Sequence, residues 1–177
     1  MLTSNPLQIK AKFWPESEQF RLGAYIKDRA LFDGAHDRVF LEWMEALRPE
    51  RRAQIWLIIN WHQMLSTLWP DLLVGEPPQF TAATPEQQTF LDFLVTQNRL
   101  VNGIYEVGID VSRYGNGLFN TWYDGGKVRI GTASPEVWVP WATPSDIKDV
   151  QGHVLGWKYQ QGDKFWRDTQ THLAGSV

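Results

Sequence analysis

The chain has 177 residues, of which 43% are apolar and 21% are charged, and its formal net charge is -3. These values are typical of a globular protein and argue against a disordered chain. The absence of cysteine excludes disulfides and thiolate metal sites, and no Lys/Arg-rich stripe of the kind that neutralises DNA phosphates is visible. Ten tryptophans are an unusually large apolar load for this length, and we expect neighbouring subunits to cover part of it.

The first half of the sequence predicts helices. A stripe of apolar residues indicates a helix over about 16–33, which Gly34 ends, and a short helix is expected over 39–47. The strongest candidate covers 50–69, and Pro70 is expected to stop or kink it because proline lacks the N–H donor. Polar residues interrupt this stretch too often for a membrane span, so we expect a buried helix. Its apolar stripe consists of Leu57, Trp61, Met64, Leu65 and Leu68.

Thr84 begins the next predicted helix. Thr84 can cap it, Pro85 suits the first helical position, and Gln87 can close a capping box. Apolar residues then recur at steps of three and four, which indicates either one helix or two helices broken near Gly103. Gly115 is expected to end this region.

Strands follow in the second half. The segments 118–123 and 128–132 flank a strong hairpin turn signal at 124–127, 136–141 is extended, and 153–160 and 164–169 form a second candidate hairpin. We therefore expect an α+β fold in which N-terminal helices pack on a C-terminal antiparallel β-meander.

The predicted elements also suggest an organisation along the chain. It comprises an N-terminal extension over 1–15, a helical part over 16–114 and a β-hairpin part over 115–177. The sequence ends just after a predicted strand, with nothing to cover the last edge. We interpret this as a chain cut from a longer protein, or as an edge that another subunit covers.

Few residues suggest catalysis. The four histidines are scattered, and no nucleophile or phosphate-binding motif is present, so we expect no catalytic, metal-binding or cofactor-binding residues. The best catalytic candidate is the pair Glu106 and Asp110, which are four residues apart on one helix face and could serve acid/base chemistry or bind a hard cation. Arg113 offers Asp110 an ordinary ion pair, which favours a structural role.

The tryptophans of the strand-rich half allow a second hypothesis, a non-catalytic module that stacks on glycan or single-stranded nucleic acid. It requires the four tryptophans beyond residue 135 to share one exposed face. Packing against the helices is the alternative, which the alternation of side chains along the strands favours. The residues concerned are Trp122, Trp138, Trp141, Trp157 and Trp166.

Short motifs in a fixed order resemble the portal proteins of tailed bacteriophages, in particular the SPP1-like group. The likeness covers roughly residues 16–172, and each motif alone is unspecific. The motifs are Tyr25 with Phe32-Asp33-Gly34, Asn60 in an apolar helix, the segment 71–78 that ends in Gly75-Glu76-Pro77-Pro78, the helix from Pro85, the turn at Gly115, the segment 135–140, Asp146, and the strand pair 153–169.

The resemblance implies a non-enzymatic structural protein. Portal subunits form rings, usually of twelve, at one capsid vertex, and a terminase motor drives double-stranded DNA through the central channel. The implied partners are further copies of the chain, capsid and head-completion proteins, the terminase, and DNA that passes without sequence-specific binding. No membrane is implied, and the implied location is the virion, or the host cytoplasm during assembly. The matched segment resembles the outer wing region, so the stem and clip of such proteins are not represented. An isolated subunit is expected to expose substantial apolar surface.

Overall fold

The computed structural model describes residues 18–40, 59–143 and 146–173. Most of the helix expected over 39–47, and the first half of the one expected over 50–69, lie outside these ranges. The chain divides into two compact units, one formed by residues 1–23 with 134–177 and the other by residues 24–133.

Three helices cover the first described ranges. Helix α1 (Gln19–Phe32) confirms the first prediction, and a single turn, α2 (His36–Val39), follows it. Helix α3 (Trp61–Val74) begins after Asn60, whose Oδ1 accepts a hydrogen bond from the Gln63 backbone N–H at 3.0 Å. The expectation of one helix over 50–69 with Asn60 inside it is therefore wrong, because residues 59 and 60 are not helical and Asn60 caps α3. Pro70 was expected to stop or kink the helix, and it does not stop it, because α3 continues for another turn to Val74.

Two further helices follow in the same unit. Helix α4 (Pro85–Gln97) begins as predicted, with Thr84 accepting from the Gln87 N–H at 3.3 Å. Helix α5 (Leu100–Tyr114) is separate, but the break lies at residues 98–99 and not near Gly103, which is inside α5. Arg99 adopts a left-handed backbone conformation with φ 49°. Gly115, with φ 74°, ends α5 as expected.

The unit formed by residues 24–133 is completed by a hairpin of β1 (Leu118–Asp124) and β2 (Lys127–Ala133). Its turn confirms the sequence prediction, since Gly125 and Gly126 have φ values of 55° and 78°, the left-handed pair that a tight hairpin requires. Helix α5 is the central element, because it contacts α3, α4 and both strands.

The other unit contains a three-stranded antiparallel sheet in the order β3-β4-β5, formed by β3 (Trp138–Thr143), β4 (Asp146–Gln161) and β5 (Lys164–Leu173). A short 3₁₀ turn, Pro135–Val137, precedes it, so the extended segment begins two residues later than expected. Leu22, Val139 and Leu155 are buried in this unit.

The α+β class is confirmed, and the strands of the described residues divide into two small sheets. None of the helices within the described ranges is both long and apolar enough to cross a membrane.

Candidate functional site

The two carboxylates that sequence analysis paired have different partners. Glu106 Oε2 accepts a hydrogen bond from the Thr132 hydroxyl at 2.8 Å, across to the hairpin. Asp110 Oδ1 accepts from Arg113 Nη2 at 2.7 Å, and the two side chains of this ion pair are only 15% and 14% exposed. The expected Arg113 ion pair is therefore confirmed, and Asp110 is held by it. In the described part of the chain, no three metal-binding side chains come together.

A cavity of about 240 Å³ lies where the start of α5 meets the hairpin. Glu106 lines it but is exposed and already bonded to Thr132. The Asn98 side chain, also on its wall, donates to the Val128 carbonyl at 3.3 Å and accepts from the Ile130 N–H at 3.0 Å. The cavity is smaller than most ligand pockets, and these polar groups serve to join α5 to the hairpin. It therefore gives no reason to assign a ligand.

A polar cluster joins α1, α3 and α5. Burial raises the pKa of Asp28 above its ordinary value, while His62 and Arg113 act in the opposite direction. The Arg113 guanidinium lies 4.7 Å from the Phe32 ring centre and 4.2 Å from that of Tyr114. His62 Nδ1 is buried and finds no hydrogen-bond partner among the described residues. His62 is thus a packed histidine at a junction of helices, with its ring edge-on to that of Phe32.

Two motifs of the portal resemblance meet at the start of α3. Asn60 Nδ2 donates to the Phe32 carbonyl at 2.8 Å, which connects residues 28 positions apart. The same nitrogen lies 3.5 Å from where a Cβ on Gly34 would be, and Gly34 has a left-handed φ of 79°. The Phe32-Asp33-Gly34 motif therefore provides the carbonyl that Asn60 binds, and Gly34 supplies the left-handed turn beside it.

A third motif is attached to α5. The Tyr105 hydroxyl donates to Asp71 Oδ1 at 2.8 Å, and this bond raises the pKa of Tyr105 above its ordinary value. Asp71 begins the segment 71–78, so the last turn of α3 is fixed to α5 through this contact.

The apolar side of α3 faces outward. Seven large apolar side chains, 45–74% exposed, form what we call the outer face of α3. The buried residues of the helix are instead Ser66 and Pro70. The expectation of a buried apolar stripe is therefore wrong in direction. The outer face consists of Trp61, Met64, Leu65, Leu68, Trp69, Leu72 and Leu73.

Sequence analysis missed part of this face and the contact behind it. Trp69 lies within the predicted helix but was not included in its stripe, and Leu72 and Leu73 lie beyond Pro70, where the helix was expected to stop or kink. The spacing of apolar residues beyond the proline was a signal that could have found them. A Cβ on Gly108 would lie 3.3 Å from the Pro70 ring, so the absence of a side chain at Gly108 allows this close contact between α3 and α5.

The four tryptophans beyond residue 135 do not share one face, so the stacking hypothesis fails in the form that the sequence suggested. Trp122 belongs to the β1–β2 hairpin, in the other unit. In the three-stranded sheet, Trp138, Trp157 and Trp166 share one face, because they pair with or occupy alternate positions of β4. Trp141 pairs with Gly152 and lies on the opposite face.

Trp138 is already covered on this shared face. The Arg21 guanidinium lies 5.3 Å from its ring centre, and its Nε1 donates to His153 Nδ1 at 3.2 Å. Tyr159 and Trp166 are opposite one another and remain half exposed, with Trp157 beside them. The exposed aromatic group is therefore Tyr159 and Trp166, near the turn of the β4–β5 hairpin, with the partly buried Trp157 beside them.

In comparisons with known proteins, no family model matches this chain and no curated protein matches it. The features that can bear on function are the motif contacts at Asn60, the outer face of α3, and the exposed aromatic side chains of the β4–β5 hairpin.

Proposed function

We propose that this chain is a structural, non-catalytic part of the portal ring of a tailed bacteriophage and contributes its outer wing region. The observation that carries the proposal is the junction at Asn60. This side chain caps α3 and donates to the Phe32 carbonyl, so two motifs of the resemblance act together in space. A chance likeness of separate short motifs gives no reason for such a contact.

Other motifs have definite roles in building the scaffold. Thr84 and Pro85 begin α4, and Gly115 ends α5 immediately before the β1–β2 hairpin. The segment 135–140 leads through a 3₁₀ turn into the three-stranded sheet. These residues define helix ends and turns, which is the work expected of a structural subunit.

The charge of the chain fits the proposed setting. A channel protein has to let double-stranded DNA slide, and tight phosphate contacts would oppose this movement. The formal net charge of -3 supports a subunit that does not hold DNA by itself. In this proposal, the partners are further copies of the chain, capsid and head-completion proteins, and the terminase, all at the capsid vertex of the virion.

The direct test is the assembly of the full-length protein. Native mass measurement and electron microscopy should show a closed ring, usually of twelve subunits, with a central channel. In a packaging reaction with procapsids and terminase, removal of the protein should abolish the protection of DNA from nuclease. A strict monomer under assembly conditions, or packaging that proceeds without the protein, would overturn the proposal.

A second candidate function is supported by the exposed aromatic side chains of the β4–β5 hairpin. Tyr159 and Trp166 are 50% and 46% exposed and lie directly opposite one another, with Trp157 on the same face. Such neighbouring rings can stack on bases or sugars.

The second candidate is tested by fluorescence titration with oligothymidylate and with a soluble oligosaccharide. Trp166→Ala should abolish any quenching that the intact protein shows. Trp141→Ala is the matched control, because Trp141 is 55% exposed on the opposite face and should be dispensable. Absence of quenching in the intact protein would eliminate this candidate.

A further inference from the structure

Strand β2 has one side paired with β1 and one side that faces away from it. The two-residue turn makes Asp124 and Lys127 the closing pair of the hairpin, and every second residue from there directs its backbone groups at the paired strand. The remaining residues of β2 direct their N–H and C=O groups to the other side, which we call the outer edge of β2. These residues are Val128, Ile130 and Thr132.

The Asn98 side chain occupies the outer edge of β2. Its Nδ2 donates to the Val128 carbonyl at 3.3 Å, and its Oδ1 accepts from the Ile130 N–H at 3.0 Å. A residue of a neighbouring strand would supply the same two groups, one N–H donor and one C=O acceptor. The carboxamide of Asn98 therefore lies where the backbone of a further strand would pair.

Asn98 is held in this position by the end of α4. Its backbone N–H and its Nδ2 both donate to the Leu94 carbonyl, at 3.1 and 3.0 Å. Nδ2 thus lies between two carbonyl oxygens while Oδ1 faces an N–H, so the orientation of the carboxamide follows from its partners. Gln97 Nε2 adds a longer contact of 3.4 Å to the Val128 carbonyl. The corner between α4 and α5 is therefore fixed to the outer edge of β2.

Helix α5 covers the third position of this edge. The Thr132 hydroxyl donates to Glu106 Oε2 at 2.8 Å, and Thr132 Cγ2 lies 3.5 Å from where a Cβ on Gly103 would be. The two positions nearer the turn are covered by Asn98 instead. One side chain thus satisfies the backbone groups that a second strand would use first.

The composition of the hairpin favours pairing with another strand. An uncovered strand edge is a template for pairing between molecules. Phe119, Trp122 and Tyr123 of β1 are 46%, 41% and 73% exposed, and aromatic residues are among those that favour β structure. We propose that the Asn98 carboxamide takes the place of a neighbouring strand and so prevents β2 from pairing with a strand of a second copy of this chain. This inference goes beyond the portal proposal and does not depend on it.

Asn98→Ala uncovers the edge and tests the inference. Association followed by thioflavin T fluorescence should begin at a protein concentration about tenfold lower in this variant than in the unmodified protein, the change expected from the loss of one hydrogen bond. Thr84→Ala is the matched control, because it removes the N-cap of α4 and leaves the outer edge of β2 covered. An unchanged onset in Asn98→Ala, or an equal decrease in Thr84→Ala, overturns the inference.

Amide hydrogen exchange locates the surface that associates. In the dilute variant the Ile130 N–H has lost its acceptor and should exchange faster than in the unmodified protein. In the associated variant it should be protected again, because a second strand supplies a new acceptor. If the Ile130 amide still exchanges fast after association, the molecules use another surface and the inference falls.

A second substitution separates strand pairing from a general loss of stability. Val128→Pro removes an N–H that points away from β1, so the ladder of the hairpin stays intact while a further strand loses a bond. Val128 is 38% exposed, so its side chain is dispensable. Asn98→Ala combined with Val128→Pro should return the onset concentration to that of the unmodified protein. If the double variant associates as readily as Asn98→Ala, instability explains the effect and the inference is wrong.

Discussion

Replacement of Asn60 by alanine removes three hydrogen bonds at the start of α3, of which the longest is an exposed bond of 3.3 Å that Nδ2 donates to Gln63 Oε1. Oδ1 accepts from the Gln63 N–H at 3.0 Å, and Nδ2 donates to the Phe32 carbonyl at 2.8 Å. Loss of a helix N-cap costs about 1 kcal/mol, and loss of a hydrogen bond to a partly buried carbonyl costs about 1 kcal/mol more. We therefore expect Asn60→Ala to lower the free energy of unfolding by roughly 2 kcal/mol, measured by urea denaturation.

Two variants separate the local cap from the long-range bond. Thr84→Ala removes the equivalent cap of α4, where Thr84 accepts from the Gln87 N–H, and should cost only about 1 kcal/mol. Asn60→Ser keeps a capping oxygen but loses the donor to Phe32, so its stability should lie between those of Asn60→Ala and the unmodified protein. If Asn60→Ala costs no more than Thr84→Ala, the junction with Phe32 contributes nothing and the reasoning is refuted.

Three further predictions concern the remaining contacts of the helices. Gly108→Leu should destabilise the protein by roughly 1–3 kcal/mol, because even a Cβ there would lie 3.3 Å from Pro70. Gly103→Ala should be neutral or should stabilise the protein by up to about 1 kcal/mol. Thermal denaturation compares the two variants. Burial raises the pKa of Asp28 above 3.8, so the folded state binds the carboxyl proton more tightly than the unfolded state does. The stability that this proton contributes is present below pH 3.8 and is lost as the pH rises through the raised pKa. In urea denaturation, Asp28→Asn should therefore be slightly more stable than the unmodified protein at neutral pH and equally stable below pH 3.8. If Asp28→Asn is less stable at neutral pH, the ionised Asp28 stabilises the fold and the prediction is wrong. The bond to Asp71 raises the pKa of Tyr105 above 10.0, so Asp71→Asn should lower it in an ultraviolet titration that uses Tyr105→Phe as the reference; an unchanged pKa would show that the bond is not the cause.

Elements with local chemical signals were predictable from the sequence. Thr84 and Pro85 begin α4 as expected, because a capping oxygen and a preset φ angle act within a few residues. The β1–β2 turn is also a local signal, because its two central positions need a positive φ, which Gly125 and Gly126 adopt without strain. Gly115 ends α5 in the same way.

The errors depend on partners that are distant in sequence. Asn98 bonds to residues about thirty positions away in β2, and the helical region breaks at Asn98 and Arg99 rather than near Gly103. Pro70 does not stop α3, and Gly108 of α5 leaves room for its ring. Neither partner could be identified from the local sequence.

The candidate surface illustrates a different limit. Apolar spacing correctly placed Trp61, Met64, Leu65 and Leu68 on one side of a helix, but it gave no information about whether that side faces the core or the outside. The usual assumption is that such a stripe is buried. Here the contact of α3 with α5 uses small residues instead, and only the structure shows this.

Helix α3 is fixed to its unit at three points. Asn60 attaches its start to the end of α1, Pro70 packs on Gly108 at its middle, and Asp71 accepts from Tyr105 in its last turn. All three contacts use polar or small groups, so none of them buries the large apolar side chains of the outer face. A surface that is already ordered loses less conformational entropy on association than a mobile one does. The contacts made by Asn60, Pro70 and Asp71 therefore hold the outer face of α3 in a fixed position.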